Sequence, residues 1–536
     1  MTAPDDPPVL IVGAGPTGLT CAILLARYGV RSLVVERHPG PYPLPRAVHL
    51  DDEVLRILQR VGVADAFTGI SRPIRGMRLV DGNLRVLAEF RRDRMAAEHG
   101  WPQASLFDQP DLERLLREEL ARHPLAELRS ETEVEHLDPG DASRPALVRL
   151  RHLPTGRTDT VSAQVVLGCD GANSLVRRSV GATMRDLRFE ERWLVVDVRC
   201  ARELDVWDGV DQVCDPRRAA TFMRVGPERY RWEFRVNPGE TAEELTAPEG
   251  MARLLSSWTG DVPFDELHVI RSASYVFKAR VADRWRAGRL FLLGDAAHLT
   301  PPFIGQGMCA GLRDAANLSW KLAAAQTDPV RHDRFLDTYE SERKPHVTRM
   351  IRLAVTTGWA MTGGQDGAAA LRRFLLSRVM RLPPAKAAML RGVSPRLRRG
   401  PLVAGSFRGP AGTFLPQPAL TVDGVERRLD DLIGPGFAIV TRHAASPFLT
   451  GLTAALNAAL VHAGTDGTRI ELPGGERLTV QEPVLAAWLD RAGTSTAVVR
   501  PDRTVLTTLP RTASRLPARF GLLPGFSPSG ELRRSS

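Results

Sequence analysis

The feature that most constrains the fold is a glycine-spaced turn near the N-terminus, Gly13-Ala-Gly15-Pro-Thr-Gly18. The apolar run Val-Leu-Ile-Val at 9–12 precedes this turn, and the segment Pro16–Tyr28 has the pattern of a helix. A second apolar run, at 32–35, leads to Glu36. Short continuous apolar runs predict strands that are buried on both faces of a parallel sheet. The segment therefore predicts a Rossmann-like βαβ unit at the start of an α/β fold.

The glycine spacing also predicts a dinucleotide site. Glycines at 13, 15 and 18 permit a tight turn, a close approach of a pyrophosphate to the backbone, and close packing of the helix. The helix N-terminus supplies N–H groups and a positive dipole to the phosphates. Glu36 lies at the end of the second strand, where a carboxylate can accept hydrogen bonds from ribose hydroxyls. This unit alone does not distinguish FAD from NAD.

Two later motifs favour a flavin. The first, Gly168-Cys-Asp170-Gly-Ala-Asn-Ser-Leu-Val-Arg177, follows the buried-strand pattern at 164–168. The second, Gly294-Asp295-Ala-Ala-His298, follows the pattern at 289–293 and continues into a stretch from Pro301 to Cys309. An aspartate at such a strand end can hold a ribityl hydroxyl. Because Gly305–Cys309 enters a helix, its N–H groups can lie beside the electron-rich pyrimidine edge of a flavin.

The middle of the chain has a different pattern. In Arg229–Val236, apolar and charged residues alternate, which predicts a half-exposed antiparallel strand, and Leu194–Val198 is a second candidate. We expect a mixed sheet inserted between two parts of the nucleotide-binding domain, helices over 308–324 and 333–356, and a C-terminal module with strands at 437–440 and 496–499 and a hairpin at 500–506. The expected domain limits are 1–180 with 270–360 for the FAD-binding domain, 181–269 for the substrate-binding sheet, 361–400 for a helical, Pro-rich linker, and 401–536 for the C-terminal module.

The three motifs, in this order and spacing, resemble those of the class A flavoprotein aromatic hydroxylases, which include p-hydroxybenzoate and phenol hydroxylases. Further matching stretches are Pro45–Ala47, Leu50–Arg56, Gly100–Pro102, Gln109–Pro110, Trp193–Asp197 and Tyr339–Arg343. The resemblance implies a Rossmann-like FAD-binding domain with an inserted mixed β-sheet substrate domain, as in p-hydroxybenzoate hydroxylase, and a C-terminal thioredoxin-like domain. That last module has no cysteine, since none follows Cys309. We interpret it as structural or as an assembly surface, and a homodimer is the assembly to consider.

The resemblance also implies roles by position. The ADP half of FAD would be held by Gly13, Gly15, Gly18, Glu36 and Arg37. The phosphate and ribityl region would be contacted by Arg46, Gln109 and Asp295. The flavin ring would be lined by Pro302, Gly305, Gly307, Met308 and Cys309, the last at a position where relatives commonly have Asn. Passage of the nicotinamide would involve Arg46, Asp170 and Arg177, with Asp170 also serving FAD.

The implied activity is a single-component monooxygenase that uses FAD, NADH or NADPH, and O₂ to hydroxylate an aromatic, phenolic substrate through a flavin C4a-hydroperoxide. With one dinucleotide motif in the chain, we expect the reduced nicotinamide to bind transiently. A general base would speed attack on a phenol. His49 is the candidate for that proton, against a merely packed histidine, and Tyr275 is a candidate for substrate contact, against a core tyrosine. We interpret Leu50–Arg56 as a helix start, Trp193–Asp197 as a core strand, and His298 as a packing residue near FAD with no metal.

Other functions stay open or are disfavoured. An oxygenase of a polycyclic or polyketide-like substrate would use the same fold, and a non-catalytic flavin-binding protein is the alternative of another class. The net charge of +10 raises the question of nucleic acid, but the basic residues are scattered among acids, so we expect no such partner. Five cysteines without CxxC spacing suit a reducing cytoplasm and no metal site. No apolar run approaches the ~18 residues that span a bilayer, so we expect a soluble protein without a membrane partner.

Overall fold

The computed structural model describes residues 8–43, 46–92, 98–141, 143–326, 332–362, 394–405, 409–464 and 467–523. These residues form a nucleotide-binding unit around a parallel sheet, an eight-stranded mixed sheet beside it, and a C-terminal α/β unit. Within these ranges no helix is both long enough and apolar enough to cross a membrane.

The nucleotide-binding unit confirms the predicted βαβ start. Its sheet runs in the order Arg286–Ala287, Leu290–Leu292, Val165–Gly168, Val9–Val12, Ser32–Val35 and Ala126–Arg129. All neighbouring strands are parallel except the first pair, which forms a hairpin. The helix Pro16–Arg27 packs between this sheet and the helices Gln109–Leu120 and Gly307–Ala325. Every residue of the three central strands is buried, which explains their continuous apolar runs.

Smaller elements complete this unit. A three-stranded antiparallel sheet consists of Thr132–Asp138, Ala146–His152 and Thr158–Ala163. Another consists of His49–Asp51, Ala104–Phe107 and Ser71–Pro73. The remaining helices are Asp52–Val61, Ala64–Ile70, Leu175–Val180, His332–Leu336 and Thr338–Thr362.

The second sheet is mixed, as expected, but wider than the segment 181–269. Its strand order is His298–Leu299, His268–Ala282, Met184–Arg199, Arg229–Arg235, Ala220–Arg224, Val210–Val213, Gly76–Val80 and Val86–Arg91. The pair of Val210–Val213 with Gly76–Val80 is parallel and the other pairs are antiparallel. The sheet thus recruits strands from both sides of the expected insertion. Helices Ala242–Thr246 and Pro248–Thr259 accompany it.

The prediction that Arg229–Arg235 is half-exposed is wrong. Tyr230 and Trp232 pack into an aromatic core with Phe222, as the alternation indicates. The opposite, charged face is buried too, since Arg231 is 1% and Glu233 8% exposed. Alternation distinguishes the two faces of a strand but does not reveal whether the polar face meets solvent or a protein cavity. Here it meets a cavity.

The C-terminal unit is a second α/β assembly. Its sheet runs in the order Arg477–Val480, Thr468–Glu471, Ala459–Ala463, Ala438–Thr441, Thr496–Val499 and Val505–Leu509, flanked by a hairpin of Ala419–Val422 and Val425–Arg428. Only the central pair, Ala438–Thr441 with Ala459–Ala463, is parallel. Its helices are Leu429–Ile433, Pro447–Leu456 and Val484–Arg491. The hairpin predicted at 500–506 is confirmed. Of the expected linker, residues 363–393 lie outside the described residues.

Buried ion pairs join the C-terminal unit to the rest of the chain. Arg500 makes two hydrogen bonds to Glu342, at 2.9 and 3.0 Å, and Lys321 donates to the same carboxylate at 2.9 Å. On another side of the contact, Arg56 binds Asp430 through two hydrogen bonds of 2.7 and 2.8 Å. Asn317 of the helix Gly307–Ala325 donates to Asp502 at 3.3 Å, and Arg500 lies over the ring of Trp320 on the same helix, so the C-terminal unit contacts a helix that begins at the predicted flavin loop.

Candidate active site

A cavity of about 1450 Å³ lies between the carboxyl ends of the parallel strands and the polar face of the mixed sheet. Ligands of open α/β sheets bind at this edge, where the turns after the strands expose backbone N–H groups. Three turns at this edge reach the cavity, and they begin at Gly13, Cys169 and Gly294. These are the turns that carry the three motifs, so folding brings separate parts of the sequence to one site.

The first turn has the geometry of a phosphate-binding loop. Gly13 has a φ of +103°, and a Cβ added there would lie 2.5 Å from the carbonyl oxygen of Cys169. A Cβ on Gly18 would collide with the carbonyl of Gly13, so Gly18 lies behind the cavity wall and permits the close packing of the helix. Gly15 lines the cavity immediately before the helix Pro16–Arg27, whose first turn receives no side-chain cap. The helix N-terminus therefore keeps N–H groups available for an anion.

An acidic residue is hydrogen-bonded to this turn, and an amide residue is hydrogen-bonded to the nearby segment that carries Arg46. Glu36 accepts from the backbone N–H of Ala14 at 2.8 Å and lines the cavity with Arg37. Gln109 also lines it, accepting from the N–H of Ala47 at 2.7 Å and so holding the segment that carries Arg46. Arg46 itself reaches the cavity.

The second turn is held by its own aspartate. The carboxylate of Asp170 accepts from the hydroxyl of Ser174 and from the N–H groups of Leu175 and Val176, at 2.7 and 3.1 Å, and so caps the helix Leu175–Val180. Arg177 donates to the carbonyls of Ala172 and Ala296, linking the second and third motifs. Asp170 borders the cavity, whereas Arg177 lies outside its lining.

The third turn leads to the loop expected at the flavin ring. Asp295 faces the cavity, and burial by the surrounding protein raises the pKa of its carboxyl. The described lining of the cavity also includes Pro302, Gly305, Gly307 and Met308. Cys309 lies behind this wall, with its thiol against the carbonyls of His49 and Gly305 at 3.8 and 3.6 Å. Its side chain therefore does not border the space in which the ring would lie.

Both predicted catalytic residues line the cavity. The Nδ1 atom of His49 lies 3.4 Å from the carbonyl oxygen of Gly305, so this ring adjoins the flavin loop. Burial, reinforced by the charge of Arg92, lowers the pKa of His49 to about 4, and the imidazole is neutral at pH 7. Tyr275 lies on the strand His268–Ala282, and its hydroxyl accepts a hydrogen bond from Arg271.

The charged wall of the mixed sheet is the part of the site that sequence reasoning missed. Arg231 binds Asp197 through two hydrogen bonds, at 2.7 and 3.0 Å, and donates to the backbone carbonyl of Arg46 at 3.1 Å. Arg231, Glu233 and Arg271 all line the cavity. The signal was present in the charged face of Arg229–Arg235, which was assigned to solvent. Trp193 also lines the cavity and packs edge-to-face on Phe303 of the flavin loop, with ring centroids 5.7 Å apart.

His298 has a structural environment. Its Nε2 lies 2.7 Å from a carboxylate oxygen of Asp314, and its ring packs on Trp285. In the portion of the chain that the structure describes, no group of three or more His, Cys, Asp or Glu side chains is arranged to hold a metal ion.

These residues fit FAD. An elongated ligand with a pyrophosphate needs the glycine turn and the uncapped helix N-terminus, a ribose needs an acceptor such as Glu36, and a polyol chain needs a carboxylate such as Asp295. A ring system at the far end would meet the N–H groups that begin the helix Gly307–Ala325. The cavity provides all of these in one continuous space, with room for a substrate beside the mixed sheet.

Comparison with known proteins agrees with this geometry. A family model described as an FAD binding domain matches residues 6–354, and one described as the HcaD C-terminal domain matches residues 412–521. The chain belongs to the FAD-dependent aromatic hydroxylase family.

The relatives include enzymes of aromatic hydroxylation. The chain is 36% identical over 513 residues to the 3-(3-hydroxy-phenyl)propionate/3-hydroxycinnamic acid hydroxylase of Burkholderia cenocepacia (strain HI2424), covering 93% of each chain. It is 34% identical over 432 residues to a probable NADH-specific resorcinol 4-hydroxylase of Rhodococcus jostii (strain RHA1), covering 81% of this chain and 78% of the relative. Among solved structures, aklavinone-11 hydroxylase in complex with FAD and aklavinone is similar with a TM-score of 0.75 and 25% identity, over 97% of this chain and 99% of that one.

Proposed function

We propose that this protein hydroxylates a phenolic substrate with FAD, O₂ and a reduced nicotinamide, and that its substrate is similar to 3-(3-hydroxyphenyl)propionate. The observation that carries the proposal is the position of the flavin loop, Gly305–Met308, against the same cavity as His49 and the polar face of the mixed sheet. A flavin ring on that loop and an aromatic ring on that sheet would be neighbours. The relatives named for 3-(3-hydroxyphenyl)propionate and resorcinol support a phenolic ring.

FAD supplies the redox and oxygen chemistry when it is bound, and the protein binds, orients and excludes water. The ADP half would rest on Gly13, Gly15 and Glu36, with Gly18 allowing the helix to pack closely. Asp295 would hold the ribityl chain. Asp170 and Arg46 border the path by which a nicotinamide could approach, and Arg177 would act indirectly, by holding the two turns together.

His49 is the proposed partner of the phenol hydroxyl. A neutral imidazole can accept a hydrogen bond from that hydroxyl and raise electron density on the ring. With a pKa of about 4, His49 keeps its neutral form throughout the range from about pH 5 to pH 8, so substrate-dependent activity should not lose this group within it. Tyr275, on the strand His268–Ala282, would contact the substrate from the side of the mixed sheet.

A polycyclic substrate is the second candidate. Aklavinone-11 hydroxylase, which is similar over nearly its whole length, was solved with FAD and aklavinone, and the cavity of about 1450 Å³ is large. Both candidates use the same cofactor and reductants, so only the substrate distinguishes them.

Anaerobic stopped-flow of the purified holoprotein tests both. A panel of 3-(3-hydroxyphenyl)propionate, resorcinol and a polycyclic phenol is mixed with NADH or NADPH, and bleaching of the flavin absorbance is recorded. The proposal expects 3-(3-hydroxyphenyl)propionate or a close analogue to accelerate bleaching, and oxygenated turnover to yield a hydroxylated product. Acceleration by the polycyclic phenol alone would transfer the assignment to the second candidate. If oxygen uptake yields only hydrogen peroxide with every compound, the hydroxylation of these phenols by the protein is refuted.

A pair of variants tests the role of His49. His49→Asn replaces the imidazole by a shorter amide that does not place an acceptor at the same point, and we expect hydroxylation to slow by roughly 100-fold, the lower end of the range for a side chain that assists proton transfer. FAD content should remain near one per chain. The matched control, His298→Asn, alters a buried histidine outside the cavity lining and should change stability more than the rate with bound FAD.

The cellular setting is also a proposal. None of the five cysteines, all of which are described, forms a disulfide, which suits a reducing cytoplasm, where the reduced nicotinamides are also present. A homodimer stays a prediction, and the oligomeric state measured by light scattering would test it.

A further inference from the structure

A buried polar network lies directly behind the flavin loop. Gln306, between the two cavity-lining glycines of that loop, is completely buried. Its side-chain amide donates to Oδ2 of Asp51 at 2.9 Å, and its carbonyl accepts from Arg313 at 2.9 Å. Asp51 ends the strand His49–Asp51, whereas Gln306 begins the turn into the helix Gly307–Ala325. The network therefore connects two segments that are about 250 residues apart in sequence.

Arg313 is the centre of this network. It lies on the helix that follows the loop, is 4% exposed, and donates from all three of its side-chain nitrogens. One terminal nitrogen binds Gln306, the other binds Asp51 at 2.7 Å, and Nε binds Glu53 at 2.9 Å. A planar guanidinium with several fixed partners defines a geometry that a flexible ammonium cannot reproduce.

Burying the charged side chains of this network costs free energy, so we expect the network to have a role other than stability. Burial alone would raise the pKa of Asp51, but the charge and hydrogen bonds of Arg313 outweigh it and lower that pKa to about 2. Asp51 and Arg313 thus form a charged pair with almost no access to solvent. Such pairs add little net stability compared with apolar residues of the same shape, and their best-supported role is to specify one arrangement.

The network fixes the relative position of two segments that border the cavity, the flavin loop and the strand His49–Asp51. His49 is two residues before Asp51, and its ring lies against Gly305. The thiol of Cys309 contacts the backbone carbonyl of His49, which is a second link between the same segments. Moving Gln306 relative to Asp51 would therefore displace the flavin loop and His49 from each other.

We propose that Arg313 is a positioning residue, which through Gln306 and Asp51 holds the loop Gly305–Gly307 and the strand of His49 in register around the flavin ring. Arg313 is outside the cavity lining, so it would touch neither cofactor nor substrate. This inference rests on the proposed function only in that FAD occupies the cavity.

The test uses Arg313→Lys in the full-length holoprotein, without any aromatic substrate. Lysine keeps the charge, but its donors all sit on one nitrogen and cannot reproduce the fixed planar fork that reaches Gln306, Asp51 and Glu53. We expect FAD to bind about tenfold more weakly, the loss associated with a hydrogen bond to a charged group. We also expect the midpoint potential of the bound flavin to fall, because the loop N–H groups no longer meet the ring edge that gains electron density on reduction. Fluorescence titration and spectroelectrochemistry measure these two quantities.

Arg56→Lys is the matched control. Arg56 is as buried as Arg313 and binds a carboxylate, that of Asp430, through two hydrogen bonds, but it faces the C-terminal unit. It should lower thermal stability while leaving the flavin potential unchanged. Gln306→Met is the second test variant, since it keeps the length of the side chain and removes both of its hydrogen bonds; it carries the test if Arg313→Lys does not fold.

The outcomes separate cleanly. A lowered potential in Gln306→Met or Arg313→Lys, with Arg56→Lys unchanged, supports positioning. An unchanged potential in the variants that fold, or an equal change in Arg56→Lys, overturns it. Because no substrate is present, a failure of phenol hydroxylation would refute the proposed function and leave this result intact.

Discussion

The described residues form two six-stranded sheets, of which the N-terminal one borders the large cavity. In the N-terminal sheet five strands run parallel, so their carboxyl ends meet at one edge and the turns after them converge. In the C-terminal sheet only Ala438–Thr441 and Ala459–Ala463 are parallel, and antiparallel neighbours return the chain across the same edge. The comparison teaches that strand direction and the residues that follow each strand create a ligand site, and the number of strands does not.

The two sheets also differ in where their charged side chains lie. Around the N-terminal sheet, charged side chains such as Glu36 and Asp295 face the cavity. At the C-terminal unit, charged side chains such as Arg500 and Asp430 face other parts of the protein and are matched there. A change in the first group should alter ligand binding, and a change in the second should alter stability.

The largest expected effect is on the first turn. Gly13→Ala should abolish copurification of FAD, because the new Cβ would lie 2.5 Å from the carbonyl of Cys169 and the turn would have to open. The measurement is the flavin absorbance per chain. Gly424→Ala, in a turn of the C-terminal unit, is the control: its φ is also positive, at +77°, but an added Cβ there meets nothing within 4 Å. Gly424→Ala should lower the free energy of unfolding by roughly 1 kcal/mol and should retain its FAD. Equal FAD loss in both variants would contradict the contrast between the sheets.

The next effect is on the contact between the units. Glu342→Gln should lower the free energy of unfolding by about 3–5 kcal/mol, because Arg500 and Lys321 would lose a buried carboxylate partner. Urea unfolding followed by tryptophan fluorescence measures this. Glu471→Gln, which alters a largely exposed pair with Arg477, should cost less than about 1 kcal/mol. If the two variants were equally stable, the contact would not depend on buried charge.

The smallest effect is a pH dependence of the same contact. Burial alone would raise the pKa of Glu342, but Arg500 and Lys321 outweigh it and lower that pKa to about 2. A depressed pKa contributes stability that is present above the unfolded value, near 4.5, and is lost as pH falls through about 2. At pH 4 the loss relative to pH 7 should be about 1 kcal/mol from this group. Glu342→Gln should remove this component from the pH profile of unfolding, and an unaltered profile would contradict it.

Local patterns in the sequence predicted much of the fold. The apolar runs at 9–12 and 32–35 and the glycine turn between them specify a βαβ unit, and the structure has it. The same reasoning located the strands at Val165–Gly168 and Leu290–Leu292, because strands buried on both faces leave a distinctive apolar signature. Gly13, Glu36, Asp170 and Asp295 line one cavity for the same reason, since each follows a strand of one parallel sheet.

What the sequence did not reveal depends on distant contacts. The charged face of Arg229–Arg235 has the pattern of a solvent face, and its burial depends on the strands packed around the cavity. Asp51 has the pattern of a helix cap, and it does accept from the N–H of Val54, but its second oxygen binds Gln306 and Arg313. No local pattern pairs residues so far apart in the chain. The mixed sheet likewise includes the strand Gly76–Val80, which lies outside the limits of 181–269 that were expected for the substrate-binding sheet.

The shared carboxylate of Glu342 has a consequence for exchanging parts between related enzymes. A chimera that keeps this N-terminal portion and takes its last module from a homologue inherits an anion and the ammonium of Lys321 inside the junction. Unless the donated module has an arginine at the position of Arg500, Glu342 and Lys321 would be buried in the interface without the guanidinium that completes the cluster. Compatibility at that position, and at Asp430, which pairs with Arg56, should therefore affect which grafts fold.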